Sequence, residues 1–349
     1  MKHQPASCNL HMRITPIIKR LHRSLIRILF FTIRQIRNST IFVEVIPFCL
    51  NKLLSPETNK FQYNVGMFCS SWFPACQLIS LALFLMATTS TFSQTMEQIH
   101  PNSTKVIAHR GASGSAPENT PAAIKKALAM GVDMVEIDVH LSQDGQVIVM
   151  HDHTLDRTTS GGGKISMTSS AEIEELEAGS WFDSSFAGEK VPTLDEVLQT
   201  VNGKAQLLIE VKMGEKFYDG IERTILSLIE RYNAEDWCIL QSFRDQILDN
   251  FKQLETEIPL HKLIVGPIPL TPFLYDGKLK MGGIEKYKDF DGINISRNYA
   301  KKGLIQNIHD RQQTTYVWTV NDTAQMQKLI DSGVDGIITN HPEYLTTGE

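Results

Sequence analysis

From Lys105 onward the chain alternates short β-branched runs with longer amphipathic ones, and no other feature restricts its fold as much. Extended runs read at 106–109, 134–141, 147–151, 206–212, 238–243, 260–265, 292–296, 315–320 and 336–339. Helices are expected between them at 119–130, 192–201, 220–232, 244–254, 301–312 and 322–332. The first of these carries a polar N-cap at Asn119, Pro121 in its first turn and Gly131 at its end. Val- and Ile-rich strands that each lead into a helix imply parallel pairing with both faces covered. About eight such units in roughly 240 residues match an α/β fold of the (β/α)8 TIM-barrel kind, over a doubly wound sheet of similar pattern.

Residues 153–190 break the alternation. Gly161-Gly162-Gly163, Ser169-Ser170 and Ser184-Ser185 are loop punctuation, and a short helix is expected at 170–176. This is a small insertion after an early strand, placed above the barrel mouth and packed down by Trp181 and Phe182.

The first hundred residues differ in kind. Residues 1–66 form a basic extension with no evident folded unit, and 67–93 read as a signal peptide or anchor. Its apolar run, 78–87, has the length of a signal h-region and is short for a membrane span; Thr91 and Ser93 then precede Gln94 as a cleavage site. Export to the periplasm or beyond is the expectation, with membrane contact only through this segment. Residues 1–93 hold ten Lys/Arg and two Asp/Glu, so the body holds 34 − 10 = 24 basic and 39 − 2 = 37 acidic residues, a net of −13. An acidic body argues against a nucleic-acid partner. Cys238 is the one cysteine beyond residue 93, which excludes an internal disulfide in the body, and it reads as a small core residue.

The chemistry gathers at strand ends. Glu136 and Asp138 are two apart in an apolar strand, so their carboxylates share a face. Two buried acids on one face call for a positive charge between them. A divalent cation supplies it, and oxygen-only ligation points to Mg²⁺ or Ca²⁺. Glu210 offers a third carboxylate. His109 and His151 each close an apolar run, where parallel strands converge on one mouth, and two imidazoles suit paired acid/base work. Arg110 and Lys212 add cations for a phosphate held between them and the metal. A plain ion pair from Lys212 to Glu210 or Glu136 is compatible with that role. His140 and His153 share faces with these residues and read as bystanders.

Taken together, His109-Arg110-Gly111, Pro117-Glu118-Asn119-Thr120, Glu136-Ile137-Asp138-Val139, Asp144-Gly145, His151-Asp152, Leu155-Asp156-Arg157-Thr158-Thr159, Val191-Pro192-Thr193-Leu194, Glu210-Val211-Lys212 and Val317-Trp318-Thr319-Val320-Asn321 resemble the glycerophosphodiester phosphodiesterase family. The resemblance runs from Lys105 to Pro342 and places the domain at 104–345. It implies a metal-dependent TIM-barrel hydrolase that converts a small-molecule glycerophosphodiester to glycerol 3-phosphate and an alcohol. It further implies that His109 and His151 are the acid/base pair, that Glu136, Asp138 and Glu210 hold Ca²⁺ or Mg²⁺, that Arg110 and Lys212 contact phosphate, and that Trp318 borders the glycerol pocket. Thr339-Asn340-His341-Pro342 departs from the family, which commonly has Asp after the Thr; the expected consequence is local hydrogen bonding rather than chemistry. The competing readings are a related barrel phosphodiesterase acting on phosphoinositides or lysophospholipids, and a non-catalytic phosphoester-binding module.

Overall fold

The computed structural model describes residues 104–346 apart from Glu215, Leu270 and Pro272. The extension at 1–66 and the apolar segment at 67–93 lie outside the described residues.

Strand β1 (Lys105–Ala108) leads through helix α1 (Pro121–Ala129) into β2 (Met134–Leu141), which folds back as β3 (Val147–Val149). The insertion with its short α2 (Ser170–Glu175) follows, then α3 (Leu194–Val201), β4 (Gln206–Val211), α4 (Ile221–Arg231), β5 (Cys238–Ser242), α5 (Asp245–Gln253) and β6 (Leu260–Ile264). Next come β7 (Gly266–Pro267), β8 (Phe273–Tyr275) and β9 (Leu279–Met281), a small antiparallel sheet. The chain finishes with β10 (Gly292–Ser296), α6 (Lys302–His309), β11 (Tyr316–Trp318), α7 (Thr323–Ile330) and β12 (Gly336–Thr339).

Strands β1, β2, β4, β5, β6, β10, β11 and β12 pair in parallel, and β1 bonds to both β12 and β2, which closes the barrel. Helices α1, α2, α3 and α7 start where a side chain satisfies a free N–H group. Thr193 and Glu196 form a reciprocal capping box on α3, and Asp322 accepts from Gln325 N–H at 2.8 Å on α7. On α1 the cap is Thr120, one residue later than expected; Asn119 instead takes a left-handed turn at φ 58°.

Side-chain alternation splits each strand between two environments. Val135, Ile137 and Val139 of β2, with Leu207, Ile209 and Val211 of β4, face the helices and join the main core with Ile124, Leu198, Ile225 and Phe251. Ile107, Met134, Leu208, Ile239, Tyr316 and Ile338 point inward and plug the barrel interior. Two residues further along the same strands, or just past their ends, come His109, Glu136, Glu210, Gln241, Trp318 and Asn340. The polar layer therefore rests on an apolar floor.

Two departures from expectation have local causes. The run at 147–151 is not a barrel strand: β3 pairs antiparallel with β2, because the chain turns at 142–146 with Gly145 at φ 82°. The span 266–291, read from sequence as neither helix nor strand, carries the β7–β9 sheet in place of a crossover helix. It covers Lys262, a fully buried side chain on the outer face of β6, whose Nζ lies 2.9 Å from Asp245 and 3.0 Å from Asp276. Lys280 of β9 contacts both acids at 2.6 Å, so two cations and two anions close the gap. The insertion has a core of its own, with Ile148, Met150, Leu155, Ile165, Ile173, Ala178 and Val191. Trp181 and Phe182 stay at its edge, stacked edge-to-face at 5.8 Å with Trp181 40% exposed, so they brace the insertion more than they bury it. Cys238 is buried and free, as expected of a core residue.

Candidate active site

All eight residues singled out from sequence meet at the C-terminal mouth of the barrel. His109, Arg110, Glu136, His151, Glu210, Lys212 and Trp318 line one cleft with Gln241, Phe243, Leu263, Thr319 and Ile338, around about 450 Å³ of open space. Asp138 joins Glu136 and Glu210 in the carboxylate cluster at this mouth.

Glu136, Asp138 and Glu210 bring one carboxylate oxygen each within 4.8 Å of the others, and all three are buried. Their surroundings divide them. Burial opposes charge on Asp138, yet Lys212 (Nζ to Oδ1, 3.0 Å) and Arg110 (Nε to Oδ2, 3.3 Å) overcome it and hold the carboxyl well below the usual range. Asn119 adds an amide donor to Oδ2 at 2.9 Å. Glu136 is pushed well up by burial and by repulsion from Asp138 and Glu210, although Arg110 N–H donates to it at 2.9 Å. Burial likewise raises Glu210 despite Lys212 at 2.6 Å. Three buried acids thus share two cations, and those cations chiefly serve Asp138. This is a hard-oxygen site short of positive charge, and it fits a divalent ion.

The backbone at the first histidine is arranged to reach this cluster. Arg110 takes φ 54° and Gly111 φ 78°, and a Cβ on Gly111 would fall 2.6 Å from the Ala123 carbonyl carbon, so only glycine lets α1 approach. His109 is largely enclosed, its side chain 17% exposed, with Nε2 4.0 Å from Glu136 Oε2, and the loss of surrounding water lowers its pKa to about 4. His151 arrives differently, just past the end of β3, where Met150 N–H bonds the Asp138 carbonyl at 2.9 Å. Its Nδ1 sits 2.7 Å from Asp152 Oδ1. Arg157 clamps Asp152 at 2.7 Å and Glu118 at 2.7 Å, and its hydrogen bond holds the Asp152 carboxyl far below its ordinary value. Glu118 also accepts from Arg110 at 2.8 Å. The insertion is thereby wired to the mouth through Arg157.

His140 is a bystander to the metal cluster, but it is employed. The His151 carbonyl can only accept, so His140 Nε2–H donates to it at 3.0 Å, and His140 Nδ1 receives the Tyr218 hydroxyl at 2.8 Å. His153 is exposed. Trp318 packs edge-to-face on Phe243 at 5.5 Å, and its buried indole N–H has no acceptor among the described residues. Sequence reasoning gave no role in the site to Asn340, Asn119 (read there as a helix cap), Gln241, Asp152 or Arg157. Three of them stand in the quoted motifs; Gln241 and Asn340 stand two residues past Ile239 and Ile338 of the floor, a spacing that could have found both.

A model of the glycerophosphoryl diester phosphodiesterase family matches residues 109–344. The chain belongs to that family. It is accordingly a phosphoric diester hydrolase, of a divalent-metal-dependent family. A glycerophosphodiester phosphodiesterase of Caldanaerobacter subterraneus is 37% identical over 247 residues, covering 69% of this chain and 96% of the relative. One from Bacillus subtilis is 32% identical over 287 residues, 76% of this chain and 94% of the relative. Among solved structures, the Oleispira antarctica phosphodiesterase in complex with the product sn-glycerol-3-phosphate superposes with TM-score 0.61 at 31% identity, over 68% of this chain and 94% of that one. The Agrobacterium tumefaciens glycerophosphodiester phosphodiesterase gives TM-score 0.60 at 30% identity, over 70% of this chain and all of that one.

Proposed function

We propose that the cleft binds the phosphate of a glycerophosphodiester between the Glu136–Asp138–Glu210 cluster and the Arg110 and Lys212 cations, with His109 and His151 moving the protons. The enzyme hydrolyses the diester to sn-glycerol 3-phosphate and an alcohol. One observation carries the reading: three buried carboxylates, two cations and two differently held imidazoles bound a single cleft. When bound, a Ca²⁺ or Mg²⁺ ion would neutralise phosphate charge and make phosphorus attackable. Arg110 and Lys212 reach the same cleft and stabilise the remaining oxyanion charge. One imidazole takes the proton of the nucleophile, either water or the glycerol C2 hydroxyl whose cyclic phosphate water then opens, and the other returns a proton to the departing alkoxide. Phe243, Leu263, Trp318 and Ile338 make an apolar wall for the glycerol carbons, and the free Trp318 N–H supplies a donor to a substrate oxygen.

Export remains our reading for the N-terminal segment, on the strength of the apolar run and its small flanking residues; among the described residues no helix is long and apolar enough to cross a membrane.

The deciding assay is glycerol 3-phosphate release from glycerophosphocholine with Ca²⁺, Mg²⁺ or EDTA, beside Glu136→Gln and His109→Gln. Metal-dependent release lost in both variants supports the assignment. Release that survives EDTA, or either substitution, overturns it. Lysophosphatidylcholine and a phosphoinositide as parallel substrates test the bulkier alternatives.

A further inference from the structure

The departure at Asn340, expected to touch only local hydrogen bonding, lies against His109. Oδ1 of Asn340 is 2.6 Å from His109 Nδ1, across the ring from the Nε2 that faces Glu136 at 4.0 Å. Asn340 is itself held on both sides. Its N–H donates to Asn321 Oδ1 at 3.0 Å, and its carbonyl accepts from Gly114 N–H at 2.8 Å. The second contact needs glycine, because a Cβ on Gly114 would fall 2.7 Å from the Asn340 oxygen. One residue back, the Thr339 carbonyl accepts from His109 N–H at 2.8 Å, so backbone and ring of His109 are fixed by adjacent residues where the barrel closes.

We propose that Asn340 is a positioning residue: its amide oxygen keeps the single proton of neutral His109 on Nδ1 and leaves the Nε2 lone pair facing the carboxylate cluster. A neutral imidazole has one N–H and one lone pair, and a partner that only accepts decides which nitrogen carries which. The two histidines then differ in kind. His151 leans on the carboxylate of Asp152 at 2.7 Å, whereas His109 leans on the uncharged amide of Asn340, which orients the ring. The closing strand supplies this orientation, so completion of the barrel and alignment of His109 are one event.

The inference rests on the assignment of His109 to proton transfer, so its test separates the two. The full-length chain is assayed on glycerophosphocholine with Ca²⁺ or Mg²⁺ as wild type, Asn340→Leu, Asn340→Asp, His109→Gln and the double variant His109→Gln/Asn340→Leu. The ¹⁵N signals of the His109 ring are recorded separately on metal-free protein. Asn340→Leu, of similar volume but without an acceptor, lowers kcat about 10–100-fold with little change in KM. Asn340→Asp, an acceptor only, restores most of that loss. The double variant is no worse than His109→Gln alone. The wild-type ring shows a protonated Nδ1 and a bare Nε2, and Asn340→Leu shows a tautomer mixture.

Equal losses in the Leu and Asp variants would mean that the amide donates, and would overturn the assignment of Oδ1 as acceptor. Full activity in Asn340→Leu with an unchanged ring spectrum would overturn the positioning role. Activity in His109→Gln would instead remove the catalytic assignment of His109, and the ring spectrum alone would then decide whether Asn340 sets its tautomer. The wild-type spectrum requires no variant to fold.

Discussion

At the scale of single residues, the site is a problem in charge. Glu136 and Glu210 are driven up by burial and by repulsion from Asp138, while Asp138 is held low by Lys212 and Arg110, although Lys212 also touches Glu210. A substitution that removes a carboxyl therefore acts in opposite directions on stability and activity. Glu136→Gln keeps or raises the melting temperature of the metal-free chain, abolishes turnover, and shrinks the melting-temperature gain that Ca²⁺ or Mg²⁺ gives the wild type. Thermal melts with EDTA and with each metal check this; a variant that melts lower without metal and still gains fully with it would count against the cluster as a cation site. Loss of either imidazole should cost about 10²–10⁴ in turnover, read from kcat of His109→Ala and His151→Ala. The residue types of this site were legible in the sequence, because paired acids in β-branched runs are costly without a purpose. The partner of His109 was not, since 231 positions separate the two and no local pattern joins them.

At the scale of elements, the barrel replaces one crossover helix with the β7–β9 sheet and staples it by charge. Lys262 is fully buried, and its ammonium is met by Asp245, Asp276 and the Phe243 carbonyl at 2.5 Å. Asp276→Ala leaves a buried cation with one of its two carboxylates and should cost roughly 3–5 kcal/mol, whereas Lys262→Met fills similar volume without a charge and should cost less. Urea unfolding of both variants gives the order, and equal costs would argue that packing rather than charge holds the sheet. Because Phe243 also lines the cleft, Asp276→Ala should raise KM for glycerophosphocholine more than Lys280→Met does. The sequence did not announce this sheet. A lysine in an otherwise apolar run reads as an exposed edge, and only its acid partners on α5 and on the β8–β9 turn make its burial tolerable. The β3 run was similarly ambiguous, for a short apolar segment reads alike in either strand direction. The Asp144-Gly145 turn was the available clue to its return, and it delivers His151 to the mouth from above.

At the scale of the whole molecule, the layering of the barrel sets its response to acid. His261 sits low in the interior beside Asn294 at 3.2 Å and Thr314 at 3.1 Å, and burial lowers its pKa from 6.5 to about 4. The unfolded chain accepts a proton below pH 6.5 that the folded barrel refuses until about pH 4. The stability contributed by neutral His261 is thus complete above that window and is lost as pH falls through it, at about 1.4 kcal/mol per pH unit. His261→Gln should flatten the fall of unfolding free energy across this range, measured by urea titrations at several pH values; an unchanged slope would place the acid sensitivity elsewhere. The sequence by itself determined the alternation, the parallel sheet and the register that sets each polar residue two positions beyond an apolar floor, because these follow from periods of 2.0 and 3.6 written into local order. The tertiary structure alone decided which residues become neighbours around the ring: Lys212 bridging Asp138 and Glu210, Arg157 joining Glu118 to Asp152, and Asn340 on His109. Those contacts depend on strand order and on closure of β12 against β1, which fix distances across the barrel that the local pattern along the chain leaves free.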